Sequence, residues 1–232
     1  MGRGVARRGS AVPWPNGIVP YEIASGYVTI LFFYAALTQE TFIIETMQKM
    51  ERYISINNVR CIQFRPKVSS DLYYITITNG YGCSSYVGQN AGINMVRTVN
   101  FQHPGCLYEG IIMHELLHVL GFYHEQSRPD RDSYVTINFA NIQLGMEHNF
   151  VKYNNSEVNT QSTPYDYGSI MHYETTAFSA NGLPTIVPIQ PNTIIGQRVN
   201  LSSIDIQEVR LFYNCTASGV TLPTITTTTT GN

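Results

Sequence analysis

Two histidines, His114 and His118, stand in a stretch from Gly110 to Tyr123 (GIIMHELLHVLGFY) that is apolar on nearly all sides. Such a run reads as a buried helix, and polar side chains inside it need partners. Four residues apart on a helix, the two imidazoles lie one above the other on one face and can converge on a metal ion. Glu115, beside the first histidine, can then act as general base on a water at that metal. HExxH alone is short enough to arise by chance on an ordinary amphipathic helix. The residues after it narrow the reading. Gly121 can take a positive φ, end the helix sharply and turn the chain back, so that His124 supplies a third nitrogen. Three protein ligands leave a position open for water, the arrangement of a catalytic zinc, whereas a structural zinc takes a fourth protein ligand. One Zn²⁺ per chain is expected, on His114, His118 and His124.

Around this helix the chain of 232 residues reads as α+β. Val12 to Tyr21 is rich in Pro and Gly and reads as an extended segment. Apolar residues at Ile43, Met47 and Met50, with Glu40, Gln48, Lys49 and Glu51 between them, predict a helix from about Leu37 to Tyr53. Val59–Phe64, Leu72–Ile77, Cys83–Gly88 and Ile93–Val99 read as strands, with a turn at Asn79-Gly80. A last amphipathic helix is expected over Ser203–Tyr213, capped near Ser203 or Asp205. Val28–Leu37 (VTILFFYAAL) is the most apolar run. At ten residues it is too short for a spanning helix, which needs about 20, and it reads as buried structure. Three parts are expected: an N-terminal segment over 1–11, a folded body over 12–215 that the family resemblance described next makes the catalytic domain, and a low-complexity Thr-rich tail over 216–232 that lacks the apolar residues a core needs.

Composition excludes several function classes. Charged residues make up only 13% and the net charge is −2, with no basic block beyond Arg3, Arg7 and Arg8, so nucleic acid and anionic membranes are not expected partners. The four cysteines, Cys61, Cys83, Cys106 and Cys215, contain no CxxC pair for zinc and suit two disulfides, with three pairings open. Together with sequons at Asn154, Asn200 and Asn214 they point to secretion. Met1-Gly2-Arg3-Gly4 lacks the apolar stretch of a leader, so the targeting segment is expected to be missing from this sequence.

The run from His114 to Asp132 (HELLHVLGFYHEQSRPDRD) resembles the astacin family's version of the metzincin motif, and Tyr167-Gly168-Ser169-Ile170-Met171-His172-Tyr173 resembles its Met-turn. The resemblance extends through Trp14–Tyr21, Cys83–Gly88, Val135–Asn138 and Thr185–Pro188. It implies a two-lobed, secreted zinc endopeptidase acting as a single chain on protein or peptide substrates, with a mixed sheet and helices above a cleft and a loop-rich lobe with a C-terminal helix below. It also implies Glu115 as catalytic base and Met171 as an apolar floor under the metal. Tyr173 is implied as a further zinc ligand at rest that swings away to stabilise the oxyanion. Glu125 is implied to receive the mature N-terminus, near Val5 or Gly9. Cys61–Cys215 and Cys83–Cys106 are the implied disulfides, and the Cys83–Gly88 segment the edge strand that an extended substrate joins.

Two other classes compete. A binding protein could keep the zinc site without turnover, though intact Glu115 and Tyr173 count against it. A zinc hydrolase of small esters or amides would share the same chemistry, and the edge strand favours peptides.

Overall fold

Short runs of alternating apolar residues in the first half of the chain assemble into one sheet. The computed structural model describes residues 6–7, 11–27, 29–32, 35–90 and 97–223. In chain order its strands and α-helices are β1 (Ala6–Arg7), β2 (Ala11–Val12), β3 (Ile18–Ile23), β4 (Thr29–Phe32), β5 (Ala35–Thr38), α1 (Gln39–Ile54), β6 (Gln63–Pro66), β7 (Ile75–Thr78), β8 (Cys83–Ser84), β9 (Gln89–Asn90), β10 (Arg97–Phe101), α2 (Glu109–Leu120), β11 (Val135–Ile137), β12 (Val158–Asn159), β13 (Ile186–Pro188) and α3 (Ser203–Phe212). The main sheet runs β6-β3-β7-β10-β8, parallel except for β8, which pairs antiparallel at the edge with Phe101 opposite Cys83. This is the α+β architecture expected from the sequence.

Strand limits differ from the sequence reading. The expected strand over 59–64 shifts to 63–66, and that over 72–77 begins only at Ile75. Of Cys83–Gly88 only Cys83–Ser84 pairs in the sheet; Gly88 instead donates its backbone N–H to the carbonyl of His118 at 2.8 Å. Within the apolar run 28–37, β4 pairs antiparallel with β5, Ile30 opposite Leu37. The expected burial of its side chains lies outside the described residues, as do the candidate chain starts near Val5 and Gly9 and the end of the Thr-rich tail from 224.

Helix α1 begins one residue after Thr38, whose Oγ1 accepts from the Thr41 N–H at 2.9 Å. Its buried face carries Ile43, Met47, Met50 and Ile54 against the sheet residues Val19, Ile75, Ile77 and Val99. Each such side chain contributes about 1.5–3 kcal/mol when fully buried. Trp14 is 2% exposed and donates from Nε1 to the Val119 carbonyl at 2.9 Å, tying the N-terminal segment to α2. Helix α3 is capped by Ser202, one residue before the expected position. Asp205 answers it in a reciprocal capping box, because a cap side chain must precede the first helical residue to reach the free N–H groups.

A second, smaller core gathers Val135, Ile142, Phe150, Tyr165, Ile186 and Ile195. Strands β11 and β13, far apart in sequence, pair antiparallel within it. Helix α2 belongs to the first core, and its start presses on the loop near Arg198. A Cβ built on Gly110 would fall 1.9 Å from the Arg198 carbonyl oxygen. Gly110→Ala is therefore expected to destabilise the protein by about 1–3 kcal/mol through overpacking, which outweighs the gain of up to about 1 kcal/mol that Ala brings to a helix. Denaturant unfolding measures it, and an unchanged or higher midpoint would show that the loop yields freely.

Candidate active site

Helix α2 places His114 and His118 on one face, and both are 7% exposed. The helix ends at Gly121, whose φ of 112° only glycine adopts readily. Its N–H returns to the His118 carbonyl and that of Phe122 to Leu117, which closes the helix and swings His124 back over it. The three rings meet. Nε2 of His124 lies 3.2 Å from Nε2 of His118 and 3.3 Å from that of His114.

The nitrogens that face carbonyls leave two lone pairs aimed at this centre. Nδ1 of His114 faces the Ile170 carbonyl at 2.8 Å, and Nδ1 of His118 faces the Phe122 carbonyl at 2.7 Å. A nitrogen facing a carbonyl carries the proton, so Nε2 of each of these rings presents a lone pair to the centre. Burial pushes His118 down to about 4, and His114 and His124 well below the ordinary imidazole range, so all three stay neutral at pH 7. With its Nε2 deprotonated, His124 adds a third lone pair, and three neutral, buried imidazole nitrogens then face one point that a metal can occupy. A tetrahedral zinc with bonds of about 2.0–2.1 Å sets its nitrogens ~3.4 Å apart, close to the separations seen. His114, His118 and His124 are positioned to bind a zinc ion.

Glu115 is 6% exposed on the same helix. Burial raises its carboxyl to about 7, against the lowering effects of a hydrogen bond from Ser85 and the charge of Arg198. The Ser85 hydroxyl lies 3.0 Å from Oε2 and equally 3.0 Å from the Glu115 backbone oxygen.

The Met-turn is held from three sides. The Ile170 carbonyl takes the His114 proton, and the Met171 carbonyl takes the Glu125 N–H at 3.1 Å. Asp205 of α3 accepts from Ser169 Oγ at 2.6 Å, from the Ile170 N–H at 3.0 Å and from the Ser202 N–H at 2.8 Å. Met171 is buried in the first core, while the Tyr173 ring packs against the second, so the triad sits where the two cores meet. That ring lies 4.3 Å from the His124 ring, and burial raises its hydroxyl to about 12. The Tyr173 backbone is clamped. Its N–H donates to Gln126 Oε1 at 3.0 Å, and its carbonyl accepts from His172 Nδ1 at 2.7 Å, while His172 Nε2 accepts from the Tyr165 hydroxyl. Beside it, Tyr173, Glu174, Ala177, Phe178, Gly196 and Arg198 line a cavity of about 390 Å³.

Beneath the site Glu125 is 2% exposed and accepts from the Asp166 N–H at 2.8 Å and from Arg128 at 3.3 Å. Arg128 also forks onto Asp130 at 2.8 and 2.9 Å. Cys61 is bonded to Cys215 and Cys83 to Cys106, the pairing the family resemblance implied. Sequence reasoning assigned no role to Ser85 or Arg198. Ser85 lay within the quoted edge-strand segment, but nothing in that segment says which way its hydroxyl points. Arg198 stands in a loop without periodicity.

Residues 7–214 match the family model Astacin, which describes a family of peptidases. The chain is 41% identical over 224 residues to zinc metalloproteinase nas-13 of Caenorhabditis elegans, covering 97% of this chain and 44% of that protein. It is 38% identical to blastula protease 10 of Paracentrotus lividus, covering 87% of this chain and 31% of that one. The chain thus spans less than half the length of these relatives. Among solved structures, high choriolytic enzyme 1, a hatching enzyme zinc-protease of the medaka fish Oryzias latipes, superposes with a TM-score of 0.71 at 38% identity, over 88% of this chain and 94% of that one. Myroilysin, at 22% identity and a TM-score of 0.57, shares the fold. A family match that runs from the first paired strand to the residue before the last cysteine, with the histidine triad inside it, makes this chain a member of the astacin family of peptidases.

Proposed function

We propose that this chain is a secreted zinc-dependent endopeptidase whose catalytic unit spans residues 12–215. The observation that carries the reading is the set of three neutral imidazoles converging beside a buried carboxylate. Zinc bound there supplies a Lewis acid that polarises the substrate carbonyl and makes water acidic enough to attack at neutral pH. Glu115 takes the proton of the attacking water and passes it to the leaving amine. Tyr173, its hydroxyl protonated because burial raises it to about 12, donates a hydrogen bond to the oxyanion as it forms. With zinc bound, His114, His118 and His124 would hold the ion, and the Tyr173 hydroxyl would be a further ligand at rest. The exposed residues Cys83 and Ser84 form the edge of the main sheet among the described residues, where an extended peptide can add as a further strand. Two disulfides support secretion, because such bonds persist in oxidising compartments. No helix among the described residues is long and apolar enough to cross a membrane.

The test is cleavage of an unfolded protein by the zinc-loaded chain. Proteolysis is expected to stop on chelation and return with one equivalent of zinc. Turnover of small esters with no cleavage of protein would favour a small-molecule hydrolase, and zinc binding without any turnover would favour a binding protein.

A further inference from the structure

The segment that follows β8 is stitched to α2 at two points one helical turn apart. The Gly88 N–H reaches the His118 carbonyl at 2.8 Å, and the Ser85 hydroxyl reaches Glu115. That hydroxyl has one proton and two acceptors at 3.0 Å, the Glu115 backbone oxygen and its carboxylate Oε2. The backbone oxygen already accepts within the helix ladder. A carboxylate is the stronger acceptor, by roughly a factor of two over a neutral one. The Ser85 proton therefore belongs on Oε2.

We propose that Ser85 is a positioning residue for the catalytic base: its hydroxyl holds Oε2 of Glu115, fixes the carboxylate in one orientation, and leaves Oε1 to collect the proton from the attacking water. This rests on Glu115 being the base. A carboxylate on a flexible side chain loses efficiency when it samples orientations that cannot reach the proton, and a single hydrogen bond to one oxygen removes that freedom. The same bond links the substrate edge to the base. Cys83 is anchored to Cys106 just ahead of α2, Ser84 pairs with Asn100 of β10, and Ser85 is the next residue. A peptide seated on that edge is thereby registered against Glu115 through one residue of backbone. Neither the zinc ligands nor Tyr173 touch Ser85 through any hydrogen bond among those described, so its effect runs through Glu115.

The experiment is steady-state kinetics of the zinc-loaded Ser85→Ala, Ser85→Thr and Glu115→Gln proteins on one fluorogenic peptide, with zinc stoichiometry and unfolding midpoint measured for each. Ser85→Ala is expected to lower kcat roughly 10- to 100-fold, the scale of one lost hydrogen bond to a charged group, with KM within about twofold. Ser85→Thr, which keeps the hydroxyl, is expected to restore most of kcat. Normal kcat in Ser85→Ala alongside an inactive Glu115→Gln would overturn the role of Ser85 and leave the base assignment standing. A lower unfolding midpoint with kcat intact would show a purely structural pin, and a rise in KM alone would show a substrate contact; either overturns the proposal. Near-normal turnover in Glu115→Gln would instead remove the base on which the proposal rests.

Discussion

Glu115→Gln is expected to bind one zinc, unfold at or above the midpoint of the parent protein, and lose activity by about 10² to 10⁴-fold. The amide has nearly the same size and shape as the carboxylate, so α2 and the three imidazoles beside it keep their places. It still accepts the Ser85 hydrogen bond through its carbonyl oxygen, but it has no basic lone pair to take a proton at neutral pH. Stability is not expected to fall. The Glu115 side chain is buried and held up to about 7 by that burial, so replacing it with a neutral group removes a desolvation cost. Zinc content and turnover measured on the same sample separate this outcome from metal loss. Turnover within tenfold of the parent protein would remove Glu115 as the base.

Tyr173→Phe is expected to lower kcat by about 10²-fold while KM and zinc content change little. The scale is that of removing one oxyanion donor. The substitution isolates the hydroxyl because other contacts fix the residue. Its backbone is pinned between Gln126 and His172, and its ring packs against His124, Phe150 and Phe178 with centroid separations of 4.3, 5.9 and 5.5 Å. Phenylalanine can occupy the same place. A group that acts only in the transition state changes kcat and leaves substrate binding alone. If KM rose and kcat held, Tyr173 would be a binding residue. Loss of zinc from this variant would make the hydroxyl a necessary ligand of the resting site.

The convergence of the three histidines was legible in the sequence because its geometry is local. Two histidines at i and i+4 share a face in any α-helix, and a glycine three residues after the second offers a positive φ that stops the helix. His124 then has little chain in which to go elsewhere. The helix over 39–54 was legible for the same reason, since its apolar spacing is a property of one element. Less was visible where an element depends on others. The strand expected over Cys83–Gly88 shortened to two residues, and Gly88 gives its backbone N–H to α2 instead of to a strand. The cap of α3 fell on Ser202, the residue ahead of the first helical one, and Asp205 both answers it and holds the Met-turn, a second duty that helical spacing does not reveal.

What the sequence determined by itself was which three histidines come together and which carboxylate stands beside the first of them, through helical period and one glycine. What only the tertiary structure decided was the company these residues keep. It set the Ser85 hydroxyl on Glu115, the Arg198 backbone against Gly110, Tyr173 beside His124, and the pairing of β11 with β13. The periodicity of an element reports which of its faces is buried, but not which distant surface covers it. That choice is made by the packing of both cores at once, and each of these contacts joins segments that only the packed cores bring together.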